Sequence, residues 1–329
     1  MAIAQRSHIP DIAVRCGQAH GVNSDWLGGG SVPAVITVST VADLRERLDA
    51  ERSARSTVGF VPTMGSLHPG HASLVAAAAA DTDVVVMSVF VNPLQFAPTE
   101  DLGAYPRDLD GDLAIAEAAG CSILFAPTDA EMYPNGREGV LSTVAVPPLA
   151  GVMEGAARPT HFAGVCTVVA KLFHLIGPCR AYFGEKDYQQ LAILRQMVID
   201  LSFPVEVVGC PTVREADGLA MSSRNVNLSA AERRAAPVLV QALQAGADAI
   251  AAGELDAAAV RSMMAATIDA APLGELDYVE VADARTLQPL KVASTDARLF
   301  GAVRFERARL IDNIAASSRP VPAATEVAR

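Results

Sequence analysis

The chain has 329 residues with a formal net charge of −11, and 51% of its residues are hydrophobic. This length predicts two domains, and the negative charge argues against a nucleic-acid partner, whose phosphates would be repelled. No apolar run is long enough to span a membrane, and the first residues lack the apolar core of a signal peptide. The five cysteines are scattered without a Cys-x-x-Cys pair, which indicates reduced thiols and predicts a cytoplasmic protein.

The chain begins with a segment that carries no fold signal. Residues 1–33 contain a glycine run and no apolar periodicity, so we expect a flexible extension there. A helix is predicted over 40–55, because Thr40 can cap it and Leu44 and Leu48 lie four residues apart on one face.

Two histidines stand between a predicted strand, 57–61, and a predicted Ala-rich helix, 72–81. Such a junction binds phosphates in open α/β sheets, because free helix N–H groups favour anions. His68 and His71, three residues apart with Gly70 between them, would share one face of the first helical turn and reach a triphosphate. Alternatively they cap the helix or lie in solvent. The two histidines could also bind a metal ion, but the sequence offers no further ligand nearby.

A buried strand is predicted over 83–91, where β-branched residues form a nearly unbroken run. Asn92 and Gln95 follow at its carboxyl end, where doubly wound sheets place ligands. They either contact a ligand or form only a turn and a cap. The alternation of strands and helices predicts a parallel sheet.

An acidic run follows at 101–112. Its carboxylates either hold Mg²⁺ or form a solvated loop and a helix start. Strands are predicted over 122–126 and 143–146, then a loop over 155–159 that contains Arg158.

An amphipathic helix is predicted over 165–176 from its apolar spacing. His161, just before it, either acts in a site or has a structural role. A strand over 180–183 then leads into a second strand-to-helix turn, Gly184-Glu185-Lys186-Asp187, with a helix over 187–201.

Lys186 stands at a strand end, where a cation is more often functional, although a surface ion pair with Glu185 or Asp187 is the alternative. Asp187 is predicted to cap the helix and to meet a ribose hydroxyl. Gln190, one turn on, can point back into the same cleft.

The last strand of the first domain is predicted over 205–208, and 211–217 crosses to the second domain. The loop Met221-Ser222-Ser223-Arg224 offers hydroxyls and a guanidinium, which suit phosphate oxygens, though alone it would be an ordinary loop. Further predicted elements are helices over 230–252 and 255–270 and half-buried strands over 278–282 and 300–305, before a polar tail at 317–329.

Five segments occur in an order that carries a resemblance. They are PTMGSLHPGH at 62–71, FVNPLQF at 90–96, HF at 161–162, YFGEKDYQQ at 182–190 and PTVREADGLAMSSRN at 211–225. In this order they resemble the pantoate–β-alanine ligases of the HIGH-motif nucleotidyltransferase superfamily, and the match runs from about Ile36 to about Asn313.

The resemblance implies an α/β fold, in which a Rossmann-like doubly wound parallel sheet domain (34–212) precedes a smaller α+β lid domain (213–316). It implies ATP-dependent joining of pantoate to β-alanine through a pantoyl adenylate, with ATP and Mg²⁺ and no tightly bound organic cofactor. A homodimer is also implied. The alternatives are another nucleotidyltransferase of the superfamily and a non-catalytic nucleotide-binding protein.

The resemblance also implies roles for residues at matching positions. Catalytic roles are implied for His68, His71, Lys186, Ser222 and Arg224. ATP contacts are implied for Pro62, Thr63, Met64, Gly65, His68, Gly70, His71, Gly184, Lys186, Asp187, Val213, Met221, Ser222, Ser223 and Arg224. Contacts to pantoate or β-alanine are implied for Met64, Asn92, Gln95, Arg158 and Gln190. Asp112 is the candidate metal ligand, although Gly111 and Ile115 depart from the family pattern beside it.

Overall fold

The computed structural model describes residues 35–97, 102–103 and 105–318. The predicted extension at 1–33 and most of the predicted tail at 317–329 lie outside the described residues. Within the described ranges, no helix combines the length and the apolar character that crossing a membrane requires.

Among the described residues, six parallel strands form the larger sheet, in the order β1-β4-β3-β2-β5-β6. They are β1 (Ile36–Val38), β2 (Val58–Thr63), β3 (Val84–Val89), β4 (Ile123–Phe125), β5 (Cys179–Gly184) and β6 (Val205–Cys210). The strand order reverses between β2 and β5, and a ligand crevice forms at such a reversal.

Within the part of the chain that the structure describes, eight α-helices accompany this sheet. They are α1 (Val41–Ser53), α2 (Pro69–Asp81), α3 (Leu109–Ala118), α4 (Asp129–Met132), α5 (Pro147–Ala150), α6 (Met153–Ala157), α7 (His161–Ile176) and α8 (Tyr188–Asp200).

Side chains of β3 enter two separate cores. Val84 and Val86 pack in one cluster with residues of α1, α7 and α8, whereas Val85 and Met87 pack in another with residues of α2. Successive side chains of a strand point to opposite faces, so both faces of this sheet are covered by helices. The predicted doubly wound α/β fold is confirmed.

The last third of the chain adds a smaller α+β unit. Its helices are α9 (Ala230–Ala235), α10 (Val238–Ala251) and α11 (Ala257–Asp269), and its strands are β7 (Glu275–Asp283), β8 (Ala297–Arg304) and β9 (Arg309–Ala315). The three strands form an antiparallel sheet in the order β7-β8-β9. Side chains such as Leu243, Met264 and Leu299 form a core of their own.

Two predictions of secondary structure from the sequence are wrong. Residues 143–146 form no strand, because the backbone N–H of Val144 bonds the Thr167 hydroxyl at 3.0 Å rather than a neighbouring strand. The predicted helix over 230–252 is two helices, separated at Pro237, since proline lacks the N–H that a continuous helix needs.

Three further differences are local. The predicted loop over 155–159 is helical as far as Ala157, where α6 ends. Asp187 precedes α8, but its side chain makes no capping bond. Strands β1 and β9 were not predicted, and β1 is only three residues long.

Candidate active site

A cleft of about 580 Å³ lies at the carboxyl ends of β2 and β5. This volume is within the usual range for small-molecule sites. Its walls are formed by the turn after β2, the turn after β3, the start of α7, the turn after β5 and the loop after β6. The cleft therefore occupies the crevice at the reversal of strand order.

A buried carboxylate holds the turn after β2. Asp112 accepts the backbone N–H of Ser66 at 3.1 Å and that of Leu67 at 2.7 Å. Gly65 has φ +81°, and a side chain there would meet the Asp112 carboxylate at 2.7 Å. Neither Gly65 nor Asp112 is among the residues that line the cleft.

These contacts bear on the predicted metal ligand. Both oxygens of Asp112 accept backbone hydrogen bonds. Among the described residues, no group of three His, Cys, Asp or Glu side chains is placed to hold a metal. The geometry gives Asp112 a loop-holding role, and its assignment as a metal ligand gains no support.

The two histidines cap α2 and line the cleft as well. His68 is the N-cap, and its Nδ1 accepts the N–H of Gly70 at 3.1 Å. The Nδ1 of His71 accepts the N–H of His68 at 3.3 Å, and the ring centroids are 4.0 Å apart. Because each Nδ1 accepts, each neutral ring carries its proton on Nε2 and can donate it to a ligand.

Both imidazoles are neutral at pH 7 in the free protein. Burial, followed by the nearby Lys186 ammonium, lowers the pKa of His68. Burial, followed by the neighbouring His68, lowers the pKa of His71 to about 3. The pair therefore offers uncharged N–H donors at the positive end of a helix, which is a favourable place for phosphate oxygens.

The turn after β5 brings charge into the cleft. It is a 3₁₀ turn, Glu185–Asp187, in which Lys186 Nζ lies 3.4 Å from Asp187 Oδ1. Burial acts to raise the pKa of Asp187, but Lys186 and Arg224 outweigh it, so that the pKa of this carboxyl is lowered. The ion pair given as the alternative for Lys186 is present, with Asp187 as the partner, and both residues also line the cleft.

The loop after β6 forms another wall of the cleft. Ser222 caps a 3₁₀ helix, Ser223–Asn227, by accepting the N–H of Arg224 at 3.3 Å. The Tyr105 hydroxyl is hydrogen-bonded with Ser223, and burial raises the pKa of Tyr105. Tyr105 lines the cleft but was assigned no role from the sequence, because nothing local pairs positions 105 and 223.

A polar cluster follows β3. Asn92, only 1% exposed, donates from Nδ2 to Gln95 Oε1 at 3.1 Å and to the carbonyl of Gly164 at 3.2 Å. The hydroxyl of Tyr133 donates to Asn92 Oδ1 at 2.8 Å. Gln95 Nε2 lies 2.9 Å from the sulfur of Met64. Asn92 thus organises the turn that presents Gln95 to the cleft.

Arg158, His161 and Gln190 also line the cleft. His161 Nδ1 lies 3.0 Å from the carbonyl oxygen of Gln95. The preceding residue of α8, Gln189, is buried and donates to the carbonyls of Leu149 and Val152. Of two successive glutamines, therefore, one packs inside and the other faces the cleft.

The structure brings together nearly all the residues predicted for substrate contacts, and Gly65 is the exception. Those lining the cleft are Pro62, Thr63, Met64, His68, Gly70, His71, Asn92, Gln95, Arg158, Gly184, Lys186, Asp187, Gln190, Val213, Met221, Ser222, Ser223 and Arg224. Sequence reasoning assigned no role to others on the same walls, which include Phe96, Tyr105, Pro106, Thr212, Val226 and Asn227.

Comparison with known proteins gives a consistent result. A family model described as pantoate-beta-alanine ligase matches residues 36–315. The pantothenate synthetase of Roseiflexus sp. is 52% identical over 276 residues, covering 84% of this chain and 97% of the relative. That of Herpetosiphon aurantiacus is 51% identical over 278 residues, covering 84% and 98%.

Two solved structures extend the comparison. Pantothenate synthetase from Thermus thermophilus is 52% identical and superposes with a TM-score of 0.80, over 86% of this chain and 99% of that one. Pantoate-beta-alanine ligase from Francisella tularensis, complexed with beta-gamma ATP and β-alanine, is 32% identical with a TM-score of 0.71, over 88% and 100%. The chain belongs to the pantoate–β-alanine ligase family.

Proposed function

We propose that this chain joins pantoate to β-alanine, with cleavage of ATP to AMP and pyrophosphate. The observation that carries the proposal is the convergence of the two histidines, the Lys186 turn, the Ser222–Arg224 loop and the glutamines Gln95 and Gln190 on one cleft. The anion-binding groups suit a triphosphate, and the neutral amides suit a hydroxy acid.

In the first step, a pantoate carboxylate oxygen attacks the α-phosphorus of ATP. The bond to the β-phosphate oxygen breaks, pyrophosphate leaves, and pantoyl adenylate remains. Because an anion attacks an anion, this step depends on positioning and on donors placed where charge develops. We assign that work to the Nε2–H groups of His68 and His71, to Lys186, and to the loop with Ser222 and Arg224.

In the second step, the neutral amine of β-alanine attacks the acyl carbon. The bond from that carbon to the phosphate oxygen of AMP breaks, AMP leaves, and the amine loses a proton to solvent as the amide forms. No covalent bond to the protein is required in either step, so the cleft needs no activated nucleophile.

The remaining residues are assigned by their place along the cleft. The backbone from Pro62 to His71 cradles the nucleotide, with Gly184, Asp187, Val213 and Met221 near the ribose and base. Gln95 and Gln190 orient pantoate between them. Met64, Asn92 and Arg158 complete the walls around pantoate and β-alanine.

Among the described residues, no group of three His, Cys, Asp or Glu side chains is placed to hold a metal, and both oxygens of Asp112 accept backbone N–H groups. We therefore propose that Mg²⁺ enters with the phosphates of ATP, as is common for this ion. We also propose a cytoplasmic homodimer, for which the support is family membership and, for the compartment, the free thiols of the four described cysteines.

Pyrophosphate exchange tests the proposal. Labelled pyrophosphate should enter ATP when pantoate is present and β-alanine is absent, because adenylation is reversible. The variant Lys186→Ala should exchange far more slowly, whereas Lys291→Ala, at an exposed position of the smaller unit, should match the wild type.

Each alternative predicts a different result. A non-catalytic nucleotide-binding protein would give no exchange with any acid. Another nucleotidyltransferase of the superfamily would give exchange with a different acceptor and none with pantoate. Exchange that unrelated carboxylates support equally well would also overturn the assignment.

A further inference from the structure

Two adjacent polar residues are buried in strand β9 of the smaller sheet. Asp312 is 4% exposed and Asn313 is 3% exposed. Neither lines the cleft. Burying polar side chains is costly unless their hydrogen bonds are satisfied, so the partners of this pair explain why they are present.

Asn313 binds the backbone of the Lys186 turn. Its Nδ2 donates to the carbonyl of Glu185 at 2.9 Å and to that of Lys186 at 2.8 Å. Its Oδ1 accepts from Arg298 Nε at 2.5 Å. Arg298 in turn pairs with the Glu185 carboxylate at 3.0 Å and stacks on the Tyr188 ring, 3.6 Å from its centroid. The turn that carries Lys186 is thereby tied to β8 and β9.

Asp312 binds the segment that leads into the Ser222–Arg224 loop. Its two oxygens accept from the guanidinium of Arg214, at 2.6 Å and 3.0 Å. Arg214 also donates to the carbonyl of Gly218 at 3.0 Å, and its backbone pairs with Ala220. A bidentate pair of this kind fixes orientation as well as position.

One strand therefore reaches both nucleotide-facing loops. Successive side chains of a strand point to opposite faces, so neighbouring residues can serve two different segments. The backbone N–H of Asn313 also donates to Asp312 Oδ1 at 2.8 Å, which couples the two residues directly. The two loops are far apart in sequence and meet through this pair.

We propose that Asp312 and Asn313 are positioning residues for adenylation, which hold the Lys186 turn and the Ser222–Arg224 loop at a set separation across the triphosphate. This inference rests on the proposed function. Buried ion pairs contribute little to stability on average, and fixing one geometry is their better-attested use. Misplacing a cation by about 1 Å can cost roughly 100-fold in rate.

The test separates the two half-reactions. Asp312→Asn keeps the shape of the side chain but removes its charge, and Asn313→Ala removes the contacts to both carbonyls. Each should slow pyrophosphate exchange by roughly 10- to 100-fold. The reaction of β-alanine with supplied pantoyl adenylate should keep its rate within about twofold, because the leaving pyrophosphate plays no part in it.

Glu280→Gln is the matched control. It removes the carboxylate of another ion pair in the smaller unit, between Arg261 and Glu280 at 2.8 Å, which touches neither loop. It should leave both half-reactions unchanged. If Glu280→Gln slows exchange as much as Asp312→Asn does, the effect is general destabilisation and the inference fails.

Two conservative variants keep the test valid if Asp312→Asn or Asn313→Ala fails to fold. Arg214→Lys keeps the charge but loses the bidentate fork, and Asn313→Ser leaves a smaller polar group. Amide hydrogen exchange should speed up around 184–187 in Asn313→Ser and around 214–224 in Arg214→Lys. Wild-type pyrophosphate exchange rates in all four variants, or equal slowing of both half-reactions, would overturn the positioning role. An inactive wild type would instead contradict the proposed function.

Discussion

At the scale of single residues, the protonation of His68 and His71 affects both the candidate active site and the stability of the fold. Burial lowers the pKa of both His68 and His71; the next largest cause is the Lys186 ammonium for His68 and the neighbouring His68 for His71. A bound triphosphate would favour their protonation, since an anion nearby stabilises the charged form. The free protein therefore keeps uncharged donors in a cleft that is suited to a highly charged ligand.

This arrangement predicts a pH dependence of folding. The pKa of His71 is about 3 in the folded chain and ordinarily 6.5, so the unfolded chain binds more protons between these values. Stability contributed by neutral His71 is fully present above pH 6.5 and falls by about 1.4 kcal/mol for each pH unit below it. Between pH 7 and pH 5 the wild type should lose about 2 kcal/mol more than His71→Gln.

Urea unfolding of both proteins at the two pH values measures this difference. Glutamine retains an acceptor for the N–H of His68, which makes His71→Gln the suitable comparison. Parallel pH profiles for the two proteins would mean that His71 titrates normally and is solvated.

At the scale of elements, the 3₁₀ turn Pro93–Gln95 packs closely against α7 at Gly164, which has no side chain to keep them apart. A Cβ added to Gly164 would lie 2.3 Å from the carbonyl oxygen of Leu94 and 2.6 Å from the Cα of Gln95. Both neighbouring atoms belong to backbone, which cannot rotate away as a side chain can. The close approach lets Asn92 bond the carbonyl of Gly164 and sets the position of Gln95.

Gly164→Ala tests this packing, because helix propensity predicts a gain in the free energy of unfolding and packing predicts a loss. Propensity alone would stabilise α7 by about 1 kcal/mol. We expect instead a loss of roughly 1–3 kcal/mol from overpacking. Displacement of the Gln95 turn should also raise KM for pantoate.

Ala163→Gly is the control, since it weakens the same helix without adding an atom beside the turn. Its KM for pantoate should be that of the wild type. A stabilised Gly164→Ala protein with normal kinetics would show that the turn moves aside freely.

At the scale of the whole molecule, the two sheets are joined by buried polar contacts as well as by the chain. Glu154 of α6 accepts from Arg309 of β9 at 2.6 Å and from the hydroxyl of Tyr278 of β7 at 3.1 Å. Arg309 also pairs with Asp277 at 2.6 Å. The smaller sheet is thus connected to the larger unit through Glu154 of α6 and through Asn313, which bonds the turn after β5.

Glu154→Gln should weaken this connection. Removing one member of a buried pair costs roughly 3–5 kcal/mol, and we expect about 2 kcal/mol because Asp277 still pairs with Arg309. The Arg304 side chain is 50% exposed and forms an ion pair with Asp277 in the same sheet. Removing this exposed pair in Arg304→Met should cost less than about 1 kcal/mol of the free energy of unfolding.

Urea unfolding gives both free energies. If the two variants lose the same free energy of unfolding, the contact between the sheets contributes no more to stability than an exposed ion pair does. A loss in Glu154→Gln with unchanged pyrophosphate exchange would place the connection outside catalysis.

Much of the sheet and of the family assignment followed from local sequence signals. The β-branched run before Asn92 predicted a strand buried on both faces, and the glycine and proline turns at strand ends marked the loops that line the cleft. Each signal concerns neighbours in the chain, since propensity, periodicity and turn chemistry act over a few residues. The family and the ligase assignment are confirmed, whereas the role of each site residue stays a prediction.

Other features depend on contacts between distant segments. The bond of Val144 to Thr167 replaced a predicted strand, Asp112 turned out to hold the loop before His68, and Tyr105 reached Ser223. Likewise, nothing near positions 312 and 313 indicates that their side chains bind turns about 100 residues or more away. Such pairings arise only when the chain folds, because buried polar groups must find partners wherever packing brings them.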